Sequence, residues 1–390
     1  MNGGFAMERP SGRIGGDPSL LGALLLIVGV GLASLYSASY GYAMSLGKPA
    51  AYFAVRQCVW LIPAACIFCV GAFASLDYVQ RAIGFVVLGS MLLLLLPFAP
   101  VIGISKNGAP RWFGFAGQMF QPSELFKPVL VLYLAHILSK KAERLGDVVN
   151  GVIPPLLLSA AGVLIVLAQN DFSTALLLVI LAVIMFWIAD VPLVFFAALA
   201  SIGVPLISLS VLTSDYRLRR VLGFLAPGYD PADLSYQVNG SLRAIRSGGV
   251  WGKGLGQGTL KIRSIPEVQS DFVFSAWAEE TGFAGILAFT ALWTFFLWRA
   301  FRAAFSAPDA FRSHLAFGLA CYLAIQTLIN VMVVSGAAPA TGIPLPFFSS
   351  GGSSLISVAL ASGLLFNVSR SAVSRAAVGA PGGERAERHV

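Results

Sequence analysis

Ten long apolar segments recur along the 390-residue chain, and they point to a membrane-spanning fold. Hydrophobic residues make up 57% of the sequence and charged residues only 11%, whereas about 25% of the residues in a soluble domain are charged. So few charges cannot cover a water-facing surface, and about 20 apolar residues suffice for a helix that crosses a bilayer. The predicted spans are 19–39, 52–74, 80–99, 123–139, 152–169, 172–189, 191–213, 271–299, 313–335 and 350–368.

We therefore predict an all-α polytopic membrane protein with about ten transmembrane helices and a long extracytoplasmic loop between helices 7 and 8. No alternation typical of a transmembrane barrel is present. The first apolar run could be a cleaved signal peptide, but it is long for one and its loss would leave an odd number of spans, so it is interpreted as a transmembrane helix. The predicted parts are a cytoplasmic N-terminal segment at 1–18, a membrane domain at 19–369 with its loop at 214–270, and a flexible cytoplasmic tail at 370–390.

Lysine and arginine near the ends of the predicted spans indicate the orientation. Thirteen of them fall on the side of the N-terminus and three on the other side, with the long loop left out of the count. Because cytoplasmic loops are enriched in these residues, both termini are predicted to be cytoplasmic. Their position at span ends also accounts for the net charge of +8, and no basic patch with interleaved aromatic residues indicates nucleic acid as a partner.

Cysteine and histidine predict neither a metal site nor a redox site. Cys66 and Cys69 form a C-x-x-C pair inside an apolar run, but no second pair of ligands accompanies them. With Cys58 and Cys321 they are interpreted as small buried hydrophobic residues. The three histidines are scattered along the chain and form no cluster.

Ionisable residues within or beside apolar segments are the main functional candidates, because each costs about 2.5–3.5 kcal/mol at bilayer depth on insertion scales. Asp271 ends the long loop and begins an apolar helix. It would either cap that helix or act as a general base, since partial burial raises the pKa of a carboxylate. The neighbouring Glu267, Gln269 and Ser270 form a polar cluster that favours the general base.

Three further groups of polar residues lie in or between the predicted spans. Glu279 and Glu280 follow one or two helical turns after Asp271, where pairing with a cation and a catalytic or transport role explain them equally well. Glu124 and Lys127 share a helix face, which predicts an ion pair, and their depth indicates that they also face a polar cavity. The last group surrounds residue 171, an aspartate expected in a short solvated turn.

The long loop is rich in cations. They would contact lipid headgroups or bind an anionic substrate, because arginine matches the geometry of phosphate oxygens. Within the loop, 233–247 has the spacing of an amphipathic helix, and the glycines of 247–258 permit a sharp turn or close approach to a ligand. No nucleotide-binding motif occurs, so a substrate on this side must arrive already activated. The loop cations are Arg217, Arg219, Arg220, Arg243, Arg246, Lys253, Lys261 and Arg263.

Five of these segments, in matching order and spacing, resemble the SEDS family of bacterial glycan polymerases, which includes FtsW and RodA. The resemblance covers residues 18–369. Its segments are NGAPRWFGFAGQMFQPSELFK (107–127), QNDFSTA (169–175), YQVNGSLRAIRSGGVWGKGLGQGT (236–259), IPEVQSDFVFSAWAEETGFAG (265–285) and TGIPLPFFSSGGSSL (341–355).

The resemblance implies a ten-span, inverting peptidoglycan glycosyltransferase that acts on lipid II at the outer face of the bacterial cytoplasmic (inner) membrane. It implies a class B penicillin-binding protein as transpeptidase partner, together with other membrane proteins of division or elongation. A divalent cation, Mg²⁺ or Mn²⁺, is the one cofactor considered. The family's essential aspartate falls on Asp271, and its Q-P-S-E-x-x-K acid and lysine fall on Glu124 and Lys127. The D-F and G-G-S-S-L segments favour a division role over elongation.

The predicted catalytic base is Asp271 alone, because the family's usual histidine two residues earlier is Gln269 here. A lipid II flippase and a scaffold that only recruits the transpeptidase are the competing functions. The polar residues concentrate on the outer side, which favours the enzyme. The residues predicted to bind substrate or to line its cavity are Glu124, Lys127, Arg111, Gln237, Ser241, Arg243, Arg246, Lys253, Glu279 and Glu280.

Overall fold

A computed structural model describes residues 15–106, 108–115, 118–225, 234–260, 265 and 268–378 of the chain. Within these ranges each predicted span coincides with an α-helix. These helices are α1 (Pro18–Ser45), α2 (Tyr52–Phe73), α3 (Leu76–Leu95), α4 (Pro122–Lys140), α5 (Ile153–Ala168), α6 (Phe172–Ile188), α7 (Leu193–Leu212), α10 (Val273–Phe305), α11 (Ala310–Val334) and α12 (Gly352–Val378), with α8 and α9 lying between α7 and α10.

Eight helical segments of the described chain are long and apolar enough to cross a membrane, and α6 is a shorter apolar helix. The chain is therefore a multi-pass membrane protein. Helix α4 has 19 residues and carries the charges of Glu124 and Lys127. The figure of ten spans stays a prediction, as does the division of the chain into parts. Residues 1–14 and 379–390, in the predicted terminal segments, lie outside the described residues.

Two features differ from the simple picture of helices and one long loop. Residues 214–270 contain two helices, α8 (Asp215–Leu225) and α9 (Leu234–Gly248), and α9 confirms the helix predicted at 233–247. A small antiparallel sheet, not predicted, precedes α4. Its strands are β1 (Gly103–Lys106), β2 (Ala109–Phe115) and β3 (Gln118–Phe120), in the order β1-β2-β3.

The helices pack through small residues, as is usual where lipid removes the hydrophobic drive for helix association. A side chain at Gly363 of α12 would overlap the backbone of Phe68 in α2. A side chain at Gly71 of α2 would in turn lie 3.1 Å from the backbone nitrogen of Leu364. This close approach packs α12 against α2, and the apolar part of α12 is 83% buried.

Helices α1 and α10 are antiparallel and define the two ends of the bundle. At one end, Asp17 caps α1 and accepts a hydrogen bond from Arg299, late in α10, at 2.6 Å. At the other end, Ser37, late in α1, donates to Glu280, early in α10, at 2.6 Å. We call the first the Asp17 end and the second the Asp271 end.

Helix α10 is broken at Gly282, whose φ of 65° and ψ of −163° are accessible in practice only to glycine. Backbone groups freed by such a break must find partners at membrane depth. Here the segment 249–254 supplies them. The hydrogen bonds run from Lys253 N to Glu279 O (3.1 Å), Gly254 N to Glu280 O (2.9 Å), Phe283 N to Gly249 O (2.9 Å) and Ala284 N to Val250 O (3.0 Å).

Gly282→Ala is expected to destabilise the folded protein by about 3 kcal/mol or more, since strain at such a residue alone costs of the order of 1–3 kcal/mol. In addition, a Cβ at this position would lie 2.6 Å from the carbonyl oxygen of Val250. Gly29→Ala is the matched control, because nothing lies within 4 Å of a Cβ there. Thermal unfolding in detergent measures both variants. Equal melting temperatures for the two would contradict the prediction.

The cysteines were predicted to be buried, and three of them are not. Cys58, Cys66 and Cys69 are exposed on the surface of α2, and Cys321 is half-buried in α11. A small polarisable side chain is as acceptable facing lipid as facing protein. Among the described residues no group of three or more His, Cys, Asp or Glu side chains could hold a metal ion.

Candidate active site

Asp271 lies immediately before α10 and is half-buried. The helix begins at Val273, and its N-cap position falls on Phe272, whose side chain makes no capping hydrogen bond. Asp271 therefore lies one residue before the N-cap position of α10. The Asp271 carboxylate lies beside Gly342, where a Cβ, if one were present, would be 3.7 Å from Oδ2. On this side the carboxylate therefore faces a position where the chain carries no side chain.

The residues beside Asp271 belong to a loop that connects α11 to α12, which we call the 341–351 loop. Gly342 has a φ of 71°, and the loop folds back on itself through a hydrogen bond from Leu345 N to Ser349 Oγ at 2.8 Å. Ser350 N donates to Gln269 O at 2.8 Å. Gln57 of α2, only 3% exposed, donates to Ser349 O at 3.2 Å. The loop is thus held by side chains and backbone of the surrounding helices.

Glu124 and Lys127 form the predicted ion pair, with 2.6 Å between Lys127 Nζ and Glu124 Oε1. Lys127 is fully buried and Glu124 is 4% exposed. The second carboxylate oxygen of Glu124 has no hydrogen-bond partner among the described residues. Lys127 Nζ also donates to Oε1 of Gln326 in α11 at 3.1 Å. The pair is therefore part of the bundle interior rather than of an exposed helix face.

Two uncharged residues of α11 lie between this ion pair and Asp271. Gln326 Nε2 donates to the carbonyl oxygen of Pro344 at 3.0 Å. Asn330 Nδ2 donates to Asp271 O at 2.7 Å and to Ile343 O at 2.8 Å. Neither residue was predicted, because among the residues inside the spans only ionisable side chains were weighed. Burying an amide side chain inside an apolar span also costs free energy unless the amide is hydrogen-bonded, and this criterion would have identified both residues.

Glu279 and Glu280 hold the glycine-rich segment that precedes Asp271 in the chain. Glu279 is fully buried and pairs with Lys253 at 3.1 Å, so the predicted pairing with a cation is present. Its Oε1 also accepts from the backbone of Thr259 at 2.9 Å. Glu280 accepts from Ser37 Oγ and from Gly256 N, the latter at 3.0 Å. Both carboxylates bind loop backbone and explain how the segment stays fixed.

Arg111 of β2 lies in a second polar cluster at the Asp271 end. Its guanidinium is 3.8 Å from Oδ1 of Asp171 and donates to the carbonyl oxygen of Asn170. Asp171 is 4% exposed, caps α6 and accepts a hydrogen bond from Gln121 at 2.9 Å. The prediction that Asp171 sits in a solvated turn is wrong. The carboxylate is buried because it joins the sheet to the starts of α4 and α6.

The residues predicted on α9 have different surroundings. Ser241 is fully buried and donates to the carbonyl oxygen of Val334 at 2.6 Å, which fastens α9 to the end of α11. Arg243 and Arg246 are exposed, and Gln237 is half-buried. The exposure of these two arginines allows them to meet an anion in solvent or at a lipid surface. Lys261, Arg263 and Glu267, which were also considered from the sequence, lie outside the described residues.

A small cleft of about 80 Å³ opens between α8, α9 and the turn at 336–340. Arg220 of α8 forms one wall and donates to the carbonyl oxygen of Ala340 at 2.9 Å. Val238 and Asn239 of α9 form the opposite wall. The turn leads directly into the 341–351 loop, which contains Gly342, the residue beside Asp271.

The fold and this site define a multi-pass membrane protein with a half-buried carboxylate and several cations at one end of its helix bundle. A family model described as cell cycle protein, FtsW, RodA and SpoVE, matches residues 18–374. The chain belongs to this family.

Relatives of known name and structure agree with the family. The chain is 37% identical to the probable peptidoglycan glycosyltransferase FtsW of Geobacter sulfurreducens, over 87% of this chain and 91% of that protein. Its structure resembles a chain of a peptidoglycan synthase complex that coordinates polymerization and crosslinking, with a TM-score of 0.74, 30% identity and coverage of 92% and 99%. It also resembles the crystal structure of the rod shape determining protein RodA of Thermus thermophilus, with a TM-score of 0.67, 28% identity and coverage of 91% and 97%.

Proposed function

We propose that this protein is an inverting peptidoglycan glycosyltransferase that polymerises lipid II, in a division role of the FtsW type. The observation that carries the proposal is the half-buried Asp271, placed beside Gly342 at the end of the bundle where the loop cations lie. Relatives named peptidoglycan glycosyltransferase FtsW support the reaction class. The flippase is not favoured, because the polar side chains around Asp271 gather at one end rather than along a path through the bundle.

In the proposed reaction, Asp271 removes the proton from the 4-hydroxyl of the GlcNAc of an incoming lipid II. The oxygen attacks C1 of the MurNAc at the lipid-linked end of the growing strand. The new C1–O bond forms as the bond to the pyrophosphate breaks, and undecaprenyl pyrophosphate leaves with the bonding pair. Attack from the face opposite the leaving group inverts C1, and Asp271 then returns its proton to solvent. General-base catalysis of this kind contributes about 10²- to 10⁴-fold to a rate.

The charge that develops on the leaving pyrophosphate needs stabilisation, which is often a large term in catalysis. The exposed Arg243 and Arg246 of α9 are the described cations suited to it, because arginine binds phosphate oxygens in a bidentate manner. The described residues contain no ready-made metal site. A divalent cation would therefore depend mainly on water and the substrate's own phosphates, which is a common arrangement for Mg²⁺.

The two ends of the helix bundle are assigned to opposite sides of the membrane. The Asp17 end carries Arg299, Arg302, Arg312 and Arg370, and cytoplasmic ends of spans are enriched in such residues. The Asp17 end, with both termini, is therefore assigned to the cytoplasmic side of the bacterial inner membrane, and the Asp271 end faces outward.

A class B penicillin-binding protein is proposed as transpeptidase partner, alongside other membrane proteins of the division machinery. The structural likeness to a chain of a peptidoglycan synthase complex supports such a partner.

Polymerisation of lipid II in detergent tests the function. Purified protein with its transpeptidase partner is expected to convert lipid II into glycan strands, which gel electrophoresis resolves by length. Detergent removes the two leaflets, so a flippase has nothing to transport and a scaffold makes no polymer. The partner alone is the control. Absence of glycan from a complex that is folded and intact would reject the glycosyltransferase and leave the scaffold or the flippase.

A further inference from the structure

We propose that Gln326 and Asn330 are positioning residues, which hold the 341–351 loop and the backbone of Asp271 in the geometry that catalysis needs. The inference rests on the proposed function, because it takes Asp271 as the catalytic base. Neither residue carries a charge. They act by holding Asp271 and Gly342 in place and do not contact the substrate.

The two amides occupy one face of α11. They are four residues apart, which places them one above the other on a helix, and their side chains are 0% and 1% exposed. Thr327 is 8% exposed on the same helix, and among the described residues its hydroxyl donates to the carbonyl oxygen of Leu323 alone, one turn earlier in α11. The amides therefore differ from their neighbour in reaching across to other elements.

Their partners determine which way each amide points. Asn330 Nδ2 faces two carbonyl oxygens, of Asp271 and Ile343, and both require a donor. Gln326 Oε1 accepts from Lys127, which is only a donor, and its Nε2 donates to the carbonyl oxygen of Pro344. Rotating the Asn330 amide by 180° would place its oxygen against two carbonyl oxygens. Rotating the Gln326 amide would place its nitrogen against the Lys127 ammonium and its oxygen against the Pro344 carbonyl. No other side chain of this size offers the same set of donors and acceptors.

The bonds of Asn330 bear directly on the catalytic geometry. One amide nitrogen joins the backbone of Asp271 to Ile343, the residue after Gly342. A Cβ added to Gly342 would lie only 3.7 Å from the Asp271 carboxylate, and the Asn330 nitrogen ties the backbone on both sides of that gap. A displacement of about 1 Å in such a site lowers a rate by of the order of 10²-fold. Loss of the Asn330 amide should therefore act on the chemical step.

Gln326 extends the same support to the bundle interior. It ties Pro344, in the same loop, to Lys127 and so to the ion pair with Glu124. Without it, the Pro344 carbonyl would lose its bond while Lys127 kept Glu124. The expected effect is smaller than for Asn330, because Gln326 contacts the loop and not the residue that carries the base.

The test compares Asn330→Leu, which has a similar size and no donor, with Thr327→Val as the matched control on the same helix. Asn330→Leu is expected to lower kcat for lipid II polymerisation by of the order of 10²-fold while KM stays within about twofold. Thr327→Val is expected to match wild type in both. Co-purification of the partner and the detergent melting curve report the folded fraction, to which each rate is normalised.

Gln326→Met has a similar size and removes the donor to Pro344, while Lys127 keeps its pair with Glu124, so kcat is expected to fall roughly tenfold. It decides the matter if Asn330→Leu does not fold. Wild-type kcat in each variant that folds would overturn the proposal, as would a raised KM with unchanged kcat, or a loss explained by the unfolded fraction. Failure of the proposed function shows separately, as wild-type protein without activity or as an active Asp271→Asn variant.

Discussion

Asp271→Asn is expected to abolish measurable glycan synthesis from lipid II while the protein stays folded and bound to its partner. Asparagine has nearly the shape of aspartate but cannot accept the proton of the attacking hydroxyl. Removal of a general base costs about 10²- to 10⁴-fold in rate. The backbone carbonyl that Asn330 binds remains in the variant, so the local fold is retained. Initial rates of lipid II polymerisation, with purified complex in detergent, measure the effect.

Asp147→Asn is the matched control for this substitution. Asp147 is exposed and lies in the segment between α4 and α5, at the Asp17 end of the bundle. Hydrogen bonds from Asn150 hold the pKa of Asp147 below its ordinary value, so the Asp147 carboxylate is ionised at neutral pH. The control should polymerise at the wild-type rate. An Asp271→Asn complex that did the same would remove Asp271 from the mechanism.

Lys127→Met is expected to destabilise the protein by about 3–5 kcal/mol, because it leaves a buried carboxylate without its counter-charge. Glu124 is 4% exposed, and Lys127 is the one cation paired with it in the described structure. Thermal or denaturant unfolding in detergent measures the loss. Lys140→Met on the same helix is the control, since Lys140 is exposed at the helix end and such substitutions usually change stability by less than about 0.5 kcal/mol.

The double variant Glu124→Gln with Lys127→Met separates stability from catalysis. Removing both charges leaves no uncompensated ion, and replacing a whole buried pair is often close to neutral. The double variant should therefore recover most of the stability lost in Lys127→Met. If it is stable and still polymerises lipid II, the pair serves the fold. If the stability of the double variant stayed as low as that of Lys127→Met, the ion-pair explanation would be wrong.

The contacts of Glu279 and Glu280 show how a membrane protein can keep a long loop in place. The carboxylates accept hydrogen bonds from the glycine-rich segment, and the break at Gly282 gives the same segment backbone partners. A substrate-binding role for both acids stays a prediction. Through these hydrogen bonds the two carboxylates hold the backbone of the glycine-rich segment in place.

Much of the fold follows from the sequence alone. The predicted spans each coincide with a helix, because a run of about 20 apolar residues has few alternatives in lipid. The pairing of Glu124 with Lys127 was predictable for a similar reason, since residues three apart on a helix are neighbours. The strands at 103–120 were missed because each is short and the pairing that stabilises them is not visible in their composition.

The sequence by itself determined that lipid surrounds this chain, where its helices lie and that Asp271 is the leading candidate for catalysis. Only the tertiary structure decided what surrounds Asp271. Asn330 is 59 residues away along the chain, and Gln326 is 199 residues from Lys127. Hydrophobic periodicity and helix spacing report on neighbours within a few turns. Hydrogen bonds between distant segments depend on how the helices pack, and that packing is set by the whole bundle at once.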